Sequence, residues 1–150
     1  MAHSFSNILI HAIFSTKGRI PAIDEEIGPR LFAYLGGIIR ELKGTALEIN
    51  GPVDHVHILL RVPHVLSISD AMRLIKTNSS RWVHETWPAR HDFARQTGYG
   101  AFSVSQSGIN AVREYIVGQQ ERHRTVTFQQ EFVAFLRQHG IEYDERYLWE

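Results

Sequence analysis

Two histidines flank one valine in DHVHILLRV, residues 54–62. Read as a strand, this segment puts His55, His57, Leu59 and Arg61 on one face and Val56, Ile58, Leu60 and Val62 on the other. Side chains two positions apart on a strand lie roughly 7 Å from each other at the backbone, close enough for both imidazoles to reach one cation. Neutral imidazole is a common metal ligand. Two hydrogen-bonded structural histidines would give the same pattern, and two ligands do not complete a site. A second pair lies in INAVREYIVGQQERHR, residues 109–124, where Tyr115 and Gln119 stand four apart and share one flank of a helix. A phenol can act as a nucleophile, and an amide oxygen can bind a hard cation such as magnesium or manganese. Packing beside the apolar stripe of Ile109, Val112 and Ile116 accounts for the tyrosine equally well. Gly118, between the two, costs a helix about 1 kcal/mol against alanine. It reads as either a close approach or a flexible point.

The surrounding elements must position these groups. Residues 5–16, FSNILIHAIFST, form an almost unbroken apolar and β-branched run, as expected of a strand buried on both faces. Residues 27–43 carry Ile27, Leu31, Leu35, Ile38, Ile39 and Leu42 at helical spacing, with Gly44 as the stop. Residues 46–50 and 54–62 read as two strands joined through Gly51-Pro52. A second helix is expected after Ser67, ending by Pro88, and residues 89–98 are polar and irregular. Residues 100–106 read as a fourth strand, 109–124 as a third helix, and 128–139 as a fourth that stops at Gly140. The tail, IEYDERYLWE, is aromatic enough to dock. The order β-α-β-β-α-β followed by helices is the ferredoxin-like split βαβ arrangement, an α+β fold with one antiparallel sheet. Its first and third strands are the central pair, and the imidazole face of the sheet is expected to stay open.

The chain has 150 residues, enough for one domain with its own core. Without cysteine it cannot use disulfides, thiolate zinc or a thiol nucleophile. The formal net charge is zero, so any grip on phosphate must come from local clusters. Three such clusters are Lys17 with Arg19, Arg73 with Lys76 and Arg81, and Arg122 with Arg124 around His123. Phe102, Trp82 and Trp87 can stack on bases but suit packing better. The nine histidines leave room for a metal or pH-sensitive site. No targeting segment is apparent, and the apolar run near the start is shorter than the ~20 residues a bilayer requires. The expectation is a soluble cytoplasmic protein.

Taken together, these residues resemble the single-tyrosine HUH transposases of the smallest bacterial insertion sequences, the IS-two-hundred type. HAIFSTKGR, YLGGIIREL, INGPVDHVHILL, SSRWV, GYGAFSVS, YIVGQQERH and HGIEYDERYLW carry the likeness in order along the chain. The resemblance implies one domain over 1–150, with a catalytic strand at 54–62, a tyrosine helix at 109–124 and a C-terminal helix and tail at 128–150. It implies Tyr115 as the nucleophile forming a 5′-phosphotyrosine, and His55, His57 and Gln119 as ligands of Mg2+ or Mn2+. It implies single-stranded DNA with hairpin ends as substrate, and a homodimer in which one subunit's tyrosine helix can complete the other's site. Beside a small metal hydrolase that would use water and leave free ends with no protein–DNA adduct, two other classes stay open. One is a domesticated REP-associated tyrosine endonuclease sharing this site. The other is a non-enzymatic nucleic-acid-binding module, although the third strand lacks the aromatic pattern such modules stack on bases.

Overall fold

The structure is a computed structural model, and it describes residues 3–91, 93–94 and 98–149. Four antiparallel strands form one sheet in the order β2-β3-β1-β4: β1 (Ile8–Ser15), β2 (Thr45–Asn50), β3 (His55–Val62) and β4 (Gly100–Val104). The first and third strands are central, as the sequence predicts. β1 starts at Ile8 rather than residue 5, and Phe5 is left 94% exposed. From Leu9 onward every β1 side chain is buried, which explains its unbroken apolar character.

One face of the sheet carries α1 (Ile27–Glu41) and α2 (Ile68–Thr86). Val56, Ile58, Leu60 and Val62 of β3 join Leu31, Leu35, Ile39, Met72 and Ile75 of these helices in the larger core. Ser67 caps α2 by accepting from the Asp70 amide. α1 ends at Glu41, and Lys43 rather than Gly44 takes the left-handed conformation, φ 67. Phe93, within the polar 89–98 stretch, is buried in this core; residues 92 and 95–97 lie outside the described residues.

The other face is covered too, which corrects the expectation of an open sheet. α3 (Ile109–Val117), α4 (Gln119–Arg122) and α5 (Phe128–Gln138) lie over it, and α6 (Glu145–Leu148) follows. Ile13 and Phe102 from the sheet pack with Phe128, Phe132 and Leu136 of α5, joined by Tyr143, Leu148 and Trp149 of the tail. The tail therefore docks, and Phe102 is core. The expected single helix over 109–124 is two segments that meet at Gly118, where φ is −84° and ψ is 12°. An added Cβ there would meet nothing nearer than 3.5 Å, so no close approach requires this glycine. Gly51 is different. A Cβ there would fall 2.1 Å from the His55 carbonyl oxygen. Gly51→Ala is accordingly expected to push the start of β3 out of place and cost about 2 kcal/mol or more, read as a lower urea midpoint.

Candidate metal and nucleophile site

The site is built from both central strands and from the helices above them. His55 and His57 project from β3 toward α5 and are 0% exposed. Glu131 projects down from α5. Its Oε1 lies 2.9 Å from His57 Nε2, 3.1 Å from His55 Nε2 and 3.2 Å from His123 Nε2. Its Oε2 accepts from Gln119 Nε2 at 3.1 Å and from the Tyr115 hydroxyl. Gln119 Oε1 is 3.3 Å from His55 Nε2, and Gln119 is fully buried. Tyr115 is partly buried, edge-on to His57 and Phe135, with the Arg122 guanidinium 4.4 Å over its ring. Despite the break at Gly118, Tyr115 and Gln119 reach one carboxylate. Asn50 holds the junction from β2, donating to the Ile116 and Val117 carbonyls and pairing with Gln120.

The donor set suits a cation. Ligand atoms of His55, His57, His123 and Glu131 all lie within 4.8 Å of one another. His55 Nδ1 contacts Asp54 Oδ1 at 2.7 Å, so the carboxylate holds the Nδ1–H and turns Nε2 into the site. His123 Nδ1 sits 2.6 Å from the Val126 carbonyl, an acceptor only, so it donates and Nε2 presents a lone pair inward. In their neutral forms these two imidazoles aim lone pairs at a carboxylate oxygen. Only a positive charge among them, a proton or a metal ion, makes that arrangement favourable. His57 is oriented by His11 of β1, whose Nε2 is 2.8 Å from His57 Nδ1.

The electrostatics follow from burial. Burial pushes His11 down to about 3 and His57 to about 4, so both are neutral at pH 7. Burial also pulls His55 down, but hydrogen bonds to Asp54 and Glu131 outweigh it and its pKa is raised. Burial favours the neutral acid of Glu131, yet the imidazoles of His123, His55 and His57 gathered around its Oε1 hold it ionised far below the usual carboxylate range. Burial raises the Tyr115 phenol well above its ordinary value, and the adjacent Glu131 raises it further. Unfolding lets His11 and His57 take up protons below pH ~6.5 that the fold refuses until far lower. His55 works in the opposite sense, adding stability below ~6.5 that fades as pH rises through its folded value. Two groups outweigh one, so the urea midpoint of the metal-free protein is expected to fall between pH 7 and pH 5. The fall should be smaller in His11→Asn.

The basic residues flagged in the sequence divide. Arg19 and Arg124 line a hollow of about 610 Å³ that reaches Asp54, His123 and Phe128. Arg122 lines a hollow of about 360 Å³ that opens on Tyr115. Lys17 is exposed near the first of these. Arg73 and Arg81 are exposed on α2, across the sheet from the imidazoles. Lys76 is buried, donating to the Gly98 carbonyl at 2.5 Å with its ammonium beside the Tyr99 ring, which removes it from the surface set. Trp82 and Trp87 pack against the larger core, and Trp82 stacks on Tyr34.

His11, Asp54, His123 and Glu131 were not singled out as site residues. A signal existed for Glu131: it shares the apolar face of its helix with Phe128, Phe132 and Phe135, where an acid is out of place. His11 faces Leu59 across the β1–β3 pairing, so it shares the face of His57. β1 is apolar on both faces, so sequence could not assign that parity.

Fold comparison finds solved structures of this architecture, two of which follow. A candidate transposase from Deinococcus radiodurans R1 aligns with a TM-score of 0.64 at 21% identity, covering 79% of this chain and 95% of its own. A REP-associated tyrosine transposase bound to a REP hairpin aligns with a TM-score of 0.61 at 12% identity, covering 84% of this chain and 74% of its own. No curated protein matches the sequence. The family model described as "Transposase IS200 like" matches residues 4–119, and the chain belongs to that family. Among the described residues no helix is long and apolar enough to cross a membrane.

Proposed function

We propose that this protein is a single-tyrosine HUH transposase that cleaves and rejoins single-stranded DNA at the hairpin-bearing ends of an insertion sequence. The observation that carries the reading is the meeting of Tyr115, Gln119, His55 and His57 on one buried carboxylate, in a chain of this family. His55, His57 and Gln119 would hold Mg2+ or Mn2+, with Glu131 and His123 close enough to complete the ligand set. When bound, the cation would stabilise charge on the oxygens of the scissile phosphate.

Tyr115 is the nucleophile. Its Oη bonds to phosphorus as the bond from phosphorus to the 3′ oxygen breaks. The phenolic proton is released to water as the new bond forms, and the departing oxygen takes up a proton from water to become a 3′-OH. The 5′-phosphotyrosine keeps the energy of the phosphodiester, so a new 3′-OH can attack it and rejoin the strand. Asp54 and His11 hold the imidazoles in orientation. Arg19, Arg122 and Arg124, with Lys17, are placed to meet the DNA backbone around the site, and Arg73 and Arg81 to meet it at a distance. The active protein is a cytoplasmic homodimer. One chain already brings its own tyrosine to its own imidazoles, which supports assembly in cis without DNA. Exchange of the helix between subunits would make the same contacts in trans.

The family match and the likeness to a hairpin-bound REP-associated fold also favour a second reading, a domesticated endonuclease acting on repeats elsewhere. One experiment tests both. Labelled single strands from the gene's own flanks and from dispersed genomic repeats are incubated with the protein and Mn2+. Label that migrates with protein on a denaturing gel marks the substrate. Free-ended product without an adduct would instead indicate hydrolysis by water and sink the tyrosine mechanism.

A further inference from the structure

The two oxygens of Glu131 serve different partners. Oε1 faces the Nε2 atoms of His57, His55 and His123. Oε2 holds the Tyr115 hydroxyl and the Gln119 amide. The elements carrying these groups are unequally anchored. α5 starts at a complete capping box, Thr127 with Gln130, and buries Phe128, Phe132 and Leu136 around Glu131. α3 buries only Ile116 and ends at the Gly118 break. The carboxylate is therefore fixed by the core, and it holds the phenol hydroxyl while the ring itself packs on His57 and Phe135. Nothing in the packing of α5 calls for an acid here, since its neighbours on that face are phenylalanines and a leucine.

We propose that Glu131 is a positioning residue that couples the cation to the nucleophile: one oxygen is a metal ligand, and the other sets where the Tyr115 hydroxyl stands relative to the metal. The inference rests on the reading of the site as a metal centre serving Tyr115. It adds a functional residue that lies beyond residue 119, where the family match ends. The arrival of a cation at the imidazoles and the placing of the phenol then form one linked event. With a cation held at Oε1, charge would be drawn from the same carboxylate whose Oε2 holds the Tyr115 hydroxyl, so the phenol would sense occupation of the metal site.

The test places 3-fluorotyrosine at position 115 and follows its 19F resonance during a Mg2+ titration of the full chain, with Mg2+ binding measured in parallel by calorimetry. In the wild type the resonance should move, with the same midpoint as the calorimetric isotherm. Glu131→Gln keeps the shape and should weaken Mg2+ binding at least about tenfold. Glu131→Ala should leave the resonance unmoved even when Mg2+ is saturating. Its cleavage kcat should fall about 100-fold, with KM for DNA little changed. A buried acid with a purely structural role would lower stability without uncoupling the resonance from the metal. Wild-type binding with the full 19F response retained in Glu131→Ala, or unchanged Mg2+ affinity in Glu131→Gln, overturns the inference and leaves the metal centre standing. Absence of Mg2+ and Mn2+ binding by the wild type overturns the metal centre itself, and the coupling with it.

Discussion

Tyr115→Phe should fold normally and form no covalent complex with DNA. The phenol hydroxyl is the only part removed. The ring contacts with His57 and Phe135 are retained, and Glu131 Oε2 keeps its bond from Gln119. The loss of one hydrogen bond to a charged acceptor costs about 1–3 kcal/mol at most, a modest change in melting temperature. The chemical loss is far larger. Removal of a nucleophile typically lowers turnover by roughly 10^4-fold or more. The measurement is transfer of label from a single strand to protein on a denaturing gel, beside a binding assay showing that DNA affinity survives. Equal adduct in the variant would mean that another side chain attacks phosphorus.

His57→Ala should have the second largest effect, and it acts on both metal and fold. The side chain is fully buried between Glu131 and His11. Its removal takes a ligand from the cation, so Mn2+ affinity should fall by about 100-fold or more. It also leaves His11 Nε2 without its partner and Glu131 with one donor fewer in a water-poor site. Together with the cavity, this is expected to cost about 2–4 kcal/mol in the metal-free protein. Calorimetric Mn2+ titration and urea unfolding separate the two effects. A stability loss with Mn2+ affinity unchanged would remove His57 from the metal site.

The parts of this protein legible in its sequence are those that local periodicity encodes. The alternation of 54–62 gave both faces of β3 correctly, because one face is wholly apolar and packs under α1 and α2. The Ser67 cap and the spacing of Ile68, Met72 and Ile75 gave α2, and the unbroken run of β1 gave its central place. Long-range convergence is not periodic, and there the reading fell short. Glu131 lies 76 residues from His55, and only tertiary packing brings α5 down onto β3. The basic cluster on α2 was read as surface, yet the same helical turn that exposes Arg73 buries Lys76. The break at Gly118 was visible as an oddity, but its consequence depends on the Asn50 latch from β2, which no local pattern foretells.

The second helical layer bears on how such chains can be shortened. A polypeptide ending near residue 119 would retain the histidine pair, the tyrosine and the glutamine, and would still satisfy every motif. It would lose the lid that keeps these groups dry. Ile13 and Phe102 would become a greasy patch on an uncovered sheet, inviting self-association, and water would reach the imidazoles from above. Motif completeness and a working centre are thus separable in this architecture, and the separation falls within the last fifth of the chain.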